Sequence, residues 1–319
     1  MRRFTLRDLA SASTSTLTAE LRGRLASQHT AWEAASPDVV SRARARAQRG
    51  WLAASAASSD VAALDEVEDG AQAAVEEIRK LSHAERAAGP AQELLGSVFA
   101  ALVGHRALVQ AAVMKQNDEP LLRPADELGL LLEDVVEDSR AFCREKFGDS
   151  PETRVLRVVA KSSGAAAGPT GAAPPVLLAP FVAFSLHELL KNAMGAHVRH
   201  VGADRIDRLD PIEVRHGVRD GVAFVGVSDF GGGAESASLQ AATTFLHTTN
   251  PEREPNYTYS RNFGAPFEGL GMGLPLAALH ARYLHGELHL SSLPTTASRV
   301  GGVHASFTFD VTGDRPEPG

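Results

Sequence analysis

The sequence predicts an α+β protein: an N-terminal α-helical bundle followed by an α/β sandwich domain. Two observations carry this reading. Residues 16 to 148 are rich in Ala, Leu, Glu and Arg, which are strong helix formers. After Gly148 and Pro151 the texture changes to short β-branched runs that come in pairs. A third observation marks the seam, since residues 162–175 hold little but Ser, Gly, Ala, Thr and Pro and read as a flexible surface loop.

A chain of 319 residues is about two domains long, because single cores stop growing beyond ~250 residues. Hydrophobic residues at 44% and charged residues at 22% exclude disorder throughout and collagen-like repeats. The single cysteine, Cys143, rules out an intrachain disulfide framework and a multi-thiolate zinc site. A net charge of −7 argues against nucleic acid as a partner, since phosphate-binding domains are basic. Residues 172–186, read as the longest apolar stretch, are too short for a bilayer and carry Pro174, Pro175 and Pro180, so no membrane span is expected.

In chain order, residues 1–15 pair basic and hydroxyl side chains. That is the composition of a mitochondrial presequence, and equally of a surface helix with a Ser/Thr lead-in. Residues 16–150 read as the bundle, broken near Ser36-Pro37, Gly89-Pro90 and 120–124. Its last helix shows Leu128, Leu131, Leu132, Val135, Val136 and Phe142 at helical spacing, stopped at Gly148. Residues 151–312 form the second domain. Here 154–161 is β-rich, 212–218 and 222–228 make a hairpin through Asp220-Gly221, and 287–293 pairs with 303–311. Residues 313–319 read as a flexible tail.

The chemistry is written in three stretches. The first is a helix with two faces. Leu186, Leu189, Leu190 and Ala193 recur on the packing side, while Glu188, Lys191, Asn192 and Gly195 share the other. A carboxylate and a carboxamide one turn apart suit a general base and a Mg²⁺ ligand, because Mg²⁺ takes hard oxygen donors. The same spacing also describes an ordinary solvated face. The second stretch is a strand delivering Asp229 into Gly231, Gly232 and Gly233. An aspartate there can accept from an exocyclic amine such as adenine's, and the glycines let backbone approach a ligand. The third, Gly269-Leu270-Gly271-Met272-Gly273-Leu274-Pro275, precedes an apolar helix, where backbone N–H groups can cradle phosphate.

In this order the three stretches resemble the N, G1 and G2 boxes of the GHKL ATP-binding fold shared by gyrase, histidine kinases and heat-shock chaperones. Within that fold, residues 187–194 (through Met194), Phe245-x-His-Thr248-Thr249 and residues 141–148 are most similar to mitochondrial pyruvate and branched-chain 2-oxoacid dehydrogenase kinases. The likeness is strong over residues 135–310, while the bundle is shortened.

The resemblance implies a Mg-ATP-dependent serine/threonine kinase acting on the E1 component of a 2-oxoacid dehydrogenase complex in the mitochondrial matrix. It implies lipoyl-bearing E2 as the dock, and it allows a homodimer. Glu188 would be the general base, Asn192 the Mg²⁺ ligand, and residues 188–195 the nucleotide-binding N box. Asp229 would hold the adenine amine with Gly231 and Gly233 beside it. Thr248 and Thr249 would lie against the nucleotide, and residues 269–274 would wrap the phosphates beneath a lid spanning 251–268.

The chain also departs from the family. Gly195 stands where an arginine is usual, and Val303 where a threonine helps bind adenine, so weaker ATP binding is expected. The bundle's usual histidine has no counterpart in 107–114, and the extended C-terminal tail is missing. Two rival readings follow. His83 faintly resembles a two-component phospho-acceptor site, and the departures fit a catalytically weak nucleotide-binding scaffold. An ordinary protein kinase is excluded, because Asp229-Phe-Gly has no His-Arg-Asp loop ahead of it.

Overall fold

A computed structural model describes residues 3–33, 39–158, 173–247 and 271–318. The α+β architecture expected from the sequence is the one observed. Among the described residues the bundle comprises α1 (Leu6–Ser11), α2 (Thr14–Glu33), α3 (Ser41–Ser55), α4 (Asp60–Arg79), α5 (His83–Ala87) and α6 (Gly89–Gln116). The break at Ser36-Pro37 and most of the 162–175 loop lie outside the described residues. The break at Gly89-Pro90 is a helix start, with proline in the first turn where its missing N–H costs nothing.

By length and composition α6 could cross a bilayer, so residues 172–186 are not the longest apolar stretch. In the fold its leucines, valines and alanines, such as Leu95, Val98, Leu102 and Ala107, are the centre of the bundle. The helix contacts α2 and α4 on one side and reaches the second domain on the other.

The short strand β1 (Arg123–Pro124) leads into α7 (Leu128–Phe147), and Gly148 closes that helix in the left-handed conformation at φ +89°. Leu128, Leu131, Leu132, Val135 and Val136 are buried, as their spacing requires, but Phe142 is 39% exposed. The buried position there is Cys143, one residue further on, because the stripe drifts around a 3.6-residue period.

Then come β2 (Thr153–Arg157), β3 (Val176–Leu177), α8 (Ala179–Val201), β4 (Ile212–Arg219), β5 (Val222–Ser228), α9 (Ser236–Ala241), α10 (Gly273–Tyr283), β6 (Leu288–Leu293) and β7 (Gly302–Asp310). Strands β2-β4-β5-β7-β6 form one five-stranded sheet, parallel only between β2 and β4, and β1 pairs with β3 in a separate two-stranded ribbon. Both predicted hairpin pairs are present. Asp220 and Gly221 turn the first at φ +51° and +78°, the twist that a two-residue connection between antiparallel strands needs. Along the strands Ile212, Val214, Ala223, Val225, Val227, Ala305, Phe307 and Phe309 are buried. They form the sheet face that α8 and α10 cover, giving two layers with α10 wedged between α8 and α6.

Both termini are tied into this core. Thr5 and Asp8 form a capping box on α1, Phe4 and Leu9 are 1% exposed, and the Phe4 carbonyl accepts from the Glu317 N–H at 2.9 Å. The segment read as a presequence or surface helix thus contributes apolar side chains to the core. Residues 313–318, expected as a flexible tail, are instead held. The Glu317 carboxylate is buried against the Arg24 guanidinium of α2 and accepts from the Tyr283 hydroxyl of α10 at 2.6 Å.

Candidate functional site

Helix α8 organises the site. Its apolar face buries Leu186, Leu189, Leu190, Ala193 and Met194, none more than 3% exposed. Leu189, Leu190, Ala193 and Met194, expected among the nucleotide contacts, are therefore core residues that fix the helix, and their side chains are not offered to a ligand. Ser139 of α7 and His187 of α8 share a 2.9 Å hydrogen bond that sets the rotation of α8 against α7. Burial holds the His187 imidazole below its usual pKa, favouring the neutral ring.

With that face anchored, Glu188 and Asn192 sit on the opposite side. The Glu188 carboxylate is partly buried and forms an ion pair with the buried Lys191 through Oε1. Its Oε2 abuts the backbone of Gly273, the first residue of α10, where a Cβ would collide with it. Glycine is required there because the carboxylate and the start of α10 occupy adjoining space. The Asn192 carboxamide donates Nδ2–H to the Glu188 carbonyl at 2.8 Å. That bond leaves Oδ1 as an exposed acceptor one turn from the carboxylate.

The glycine turn after β5 is seated on the C-terminal half of the same helix. Gly231 lies against Ala196 and His197 so closely that a Cβ would come within 2.6 Å of the Ala196 carbonyl carbon. The Phe230 N–H donates to His197 Nε2 at 2.9 Å, and burial pushes that imidazole down to about 4, so it stays a neutral acceptor. Gly232 and Gly233 turn at φ +95° and +77°.

Asp229 is 6% exposed and backed by β7, its N–H donating to the Val303 carbonyl at 2.9 Å. One carboxylate oxygen accepts from the Gly231 N–H at 3.0 Å. The Val303 N–H of β7 also acts on the carboxylate. Burial raises the acid to about 6, against the smaller pulls of the Gly231 and Val303 N–H groups and the Arg199 charge.

In the third stretch Gly271, at φ +69°, accepts the Leu246 N–H on its carbonyl at 2.8 Å. Met272 is buried and Leu274 partly so. Gly269, Leu270, Thr248, Thr249 and the 251–268 lid lie outside the described residues. The structure thus brings Glu188, Lys191, Asn192 and Gly273 to one place, with Gly195, Asp229 and Gly231 further along α8 and Gly271 two residues before Gly273.

Sequence reasoning missed a residue from the bundle. Gln92 of α6 donates its Nε2–H to the Phe245 carbonyl at 3.0 Å and accepts the Phe245 N–H on Oε1 at 2.8 Å. Phe99 stacks on the Phe245 ring at 5.6 Å between centroids. A lone glutamine in a helical run carries no local signature of such a clamp. Among the described residues no group of three or more His, Cys, Asp or Glu could hold a metal by itself.

Comparison with known proteins agrees with the motifs. A pyruvate dehydrogenase kinase isozyme 4 from Rhinolophus ferrumequinum is 32% identical over 174 residues, covering 53% of this chain and 38% of the relative. The Drosophila melanogaster mitochondrial pyruvate dehydrogenase kinase is 30% identical over 54% of this chain and 39% of its own. The chain is similar to pyruvate dehydrogenase kinases. The Arabidopsis thaliana enzyme extends the match to 239 residues at 27% identity, covering 71% of this chain and 59% of that one. The chain thus spans about two fifths of the length of the first two relatives and under two thirds of the third. No protein-family model matches. Among solved structures, the mycobacterial sensor histidine kinase MprB aligns at a TM-score of 0.35 and 16% identity, over 56% of this chain and 95% of that one.

Proposed function

We propose that this chain binds Mg-ATP and transfers phosphate to a serine or threonine of the E1 component of a 2-oxoacid dehydrogenase complex, pyruvate or branched-chain. The observation that carries this reading is the meeting of the Glu188 carboxylate with Gly273, the last glycine of the glycine-rich stretch, beside the free Oδ1 of Asn192.

The residues fit the nucleotide and its metal. The Asp229 carboxylate, with more lone pairs than the Gly231 and Val303 N–H groups engage, can accept from an exocyclic amine. Asn192 offers one hard oxygen, and among the described residues no His, Cys, Asp or Glu cage accompanies it, which suits Mg²⁺, an ion that keeps waters and phosphates in its shell. Bound ATP would supply the γ-phosphoryl group and leave as ADP. Asn192 would hold the metal through Oδ1. Glu188 Oε2 accepts the proton of the incoming hydroxyl while Lys191 keeps the opposite oxygen paired and the carboxylate oriented. Gly271 and Gly273 let backbone approach the phosphates. Positioning and charge neutralisation carry most of the rate in such a transfer.

The names of the relatives, mitochondrial pyruvate dehydrogenase kinases, support a dehydrogenase partner and a mitochondrial location, and the lipoyl-bearing E2 dock and the matrix compartment follow from the family resemblance alone. A second reading, a nucleotide-binding scaffold, draws on the Lys191 ion pair, which occupies one oxygen of the base. Incubation with labelled ATP and each purified E1 decides between them. Acid-stable label on one E1, lost in Glu188→Gln, supports the kinase. Intact ATP binding with equal near-zero labelling by both proteins supports the scaffold, and acid-labile label on the chain itself would redirect attention to a histidine such as His83.

A further inference from the structure

We propose that Arg199 is a nucleotide-binding residue of this site, its guanidinium supplying the cation for the phosphate nearest the nucleoside. The inference rests on the nucleotide reading above and adds a residue to it. Asn192, Gly195 and Arg199 lie on one face of α8, three and then four residues apart.

Side chains on a helix lean toward its N-terminus. That lean carries the Arg199 guanidinium back over Gly195, where a Cβ would stand 3.0 Å from Nη1 and 3.8 Å from Cζ. The absent side chain at 195 is what makes the space. The charge therefore sits about one turn beyond Asn192 on the way to Asp229. Arg199 feels Asp229 electrostatically, yet among the described residues it has no ion-pair or hydrogen-bond partner. The residue is exposed, so its cation is open to a ligand while its approach is fixed by the helix.

An amine acceptor stands at one end of this line, and a metal ligand with a carboxylate at the other. A cation between them falls opposite the first phosphate of a nucleotide and does nothing for a nucleoside. The cation absent at Gly195 is thus delivered from the next turn.

Binding of ADP and of adenosine to the full chain, measured by calorimetry, tests this. Arg199→Ala should lower ADP affinity roughly tenfold or more, the usual worth of a charge-assisted hydrogen bond, and leave adenosine affinity unchanged. Gly195→Arg added to Arg199→Ala should recover ADP binding, because the second change vacates the space the first one fills. Thermal unfolding of each variant reports whether it is folded.

Equal ADP affinity in wild type and Arg199→Ala overturns the proposal and leaves the nucleotide site standing. Parallel loss of ADP and adenosine also overturns it, since that is a structural effect. Absence of ADP binding in the wild type removes the nucleotide reading and this proposal together.

Discussion

The α/β half and the helical bundle hold their partners in different ways. In the α/β half the decisive contacts are made by residues close in sequence or by glycines whose backbone is approached: Asp229 with Gly231, Glu188 with Lys191 and Asn192, and Glu188 with Gly273. In the bundle they are single polar side chains reaching far along the chain, as Gln92 does to Phe245 and Arg24 to Glu317. Local contacts of the first kind leave spaced motifs. Contacts of the second kind leave none, yet they join the bundle to the site, because Phe245 and Leu246 lie beside Gly271 and Tyr283 closes the helix that Gly273 opens.

The difference can be broken first at Glu188, the proposed base. Glu188→Gln should reduce phosphate transfer to E1 by roughly 10²–10⁴-fold, the usual contribution of general-base catalysis, with ATP affinity little changed. Labelled-ATP assays beside calorimetric titration separate the two.

On the bundle side, Glu317→Gln removes one charge from a pair whose side chains are 14% and 8% exposed, and it leaves Arg24 with Glu20 as its counter-charge. With Glu20 still paired to Arg24, the loss is that of a hydrogen bond to a charged group, about 1.5–3 kcal/mol, read as a lower midpoint in urea.

Asp229 sharpens the comparison through pH. Burial raises its pKa from 3.8 to about 6, so the fold favours the neutral acid. That contribution to stability is complete below about pH 4 and is lost as pH rises through about 6. Asp229→Asn should therefore raise stability at pH 7.5 by up to about 3 kcal/mol and do nothing at pH 3.5, while weakening ATP binding at pH 7.5. Thermal unfolding at the two pH values, with nucleotide titration at the higher one, checks both halves. A variant less stable at pH 7.5 would refute the assignment of burial as the cause.

Gln92→Ala should have the smallest effect. It leaves the N–H and carbonyl of Phe245 unpaired in a partly buried place, a loss of about 1–2 kcal/mol in denaturant unfolding.

Much of this was readable before any coordinates. The period-2 runs and Asp220-Gly221 placed the hairpin because strand alternation and a left-handed turn are local properties. The polar face of α8 emerged from helical spacing alone, although spacing could not separate a ligand-facing residue from a core one. It was burial that moved Leu189, Leu190, Ala193 and Met194 out of the ligand set. Arg199 escaped notice because its role comes from an empty neighbour four residues earlier, and side-chain direction is not written in composition. The C-terminal residues looked like a tail because a lone glutamate among prolines gives no hint of the arginine and tyrosine awaiting it.

Calorimetric titration of ATP into the wild type and Asn192→Ala, with and without Mg²⁺, tests the central claim most directly. The account predicts one nucleotide per chain, bound more tightly with Mg²⁺ by the wild type and with little Mg²⁺ dependence by the variant. Saturable binding absent at millimolar ATP, or Mg²⁺ tightening undiminished in Asn192→Ala, would contradict it.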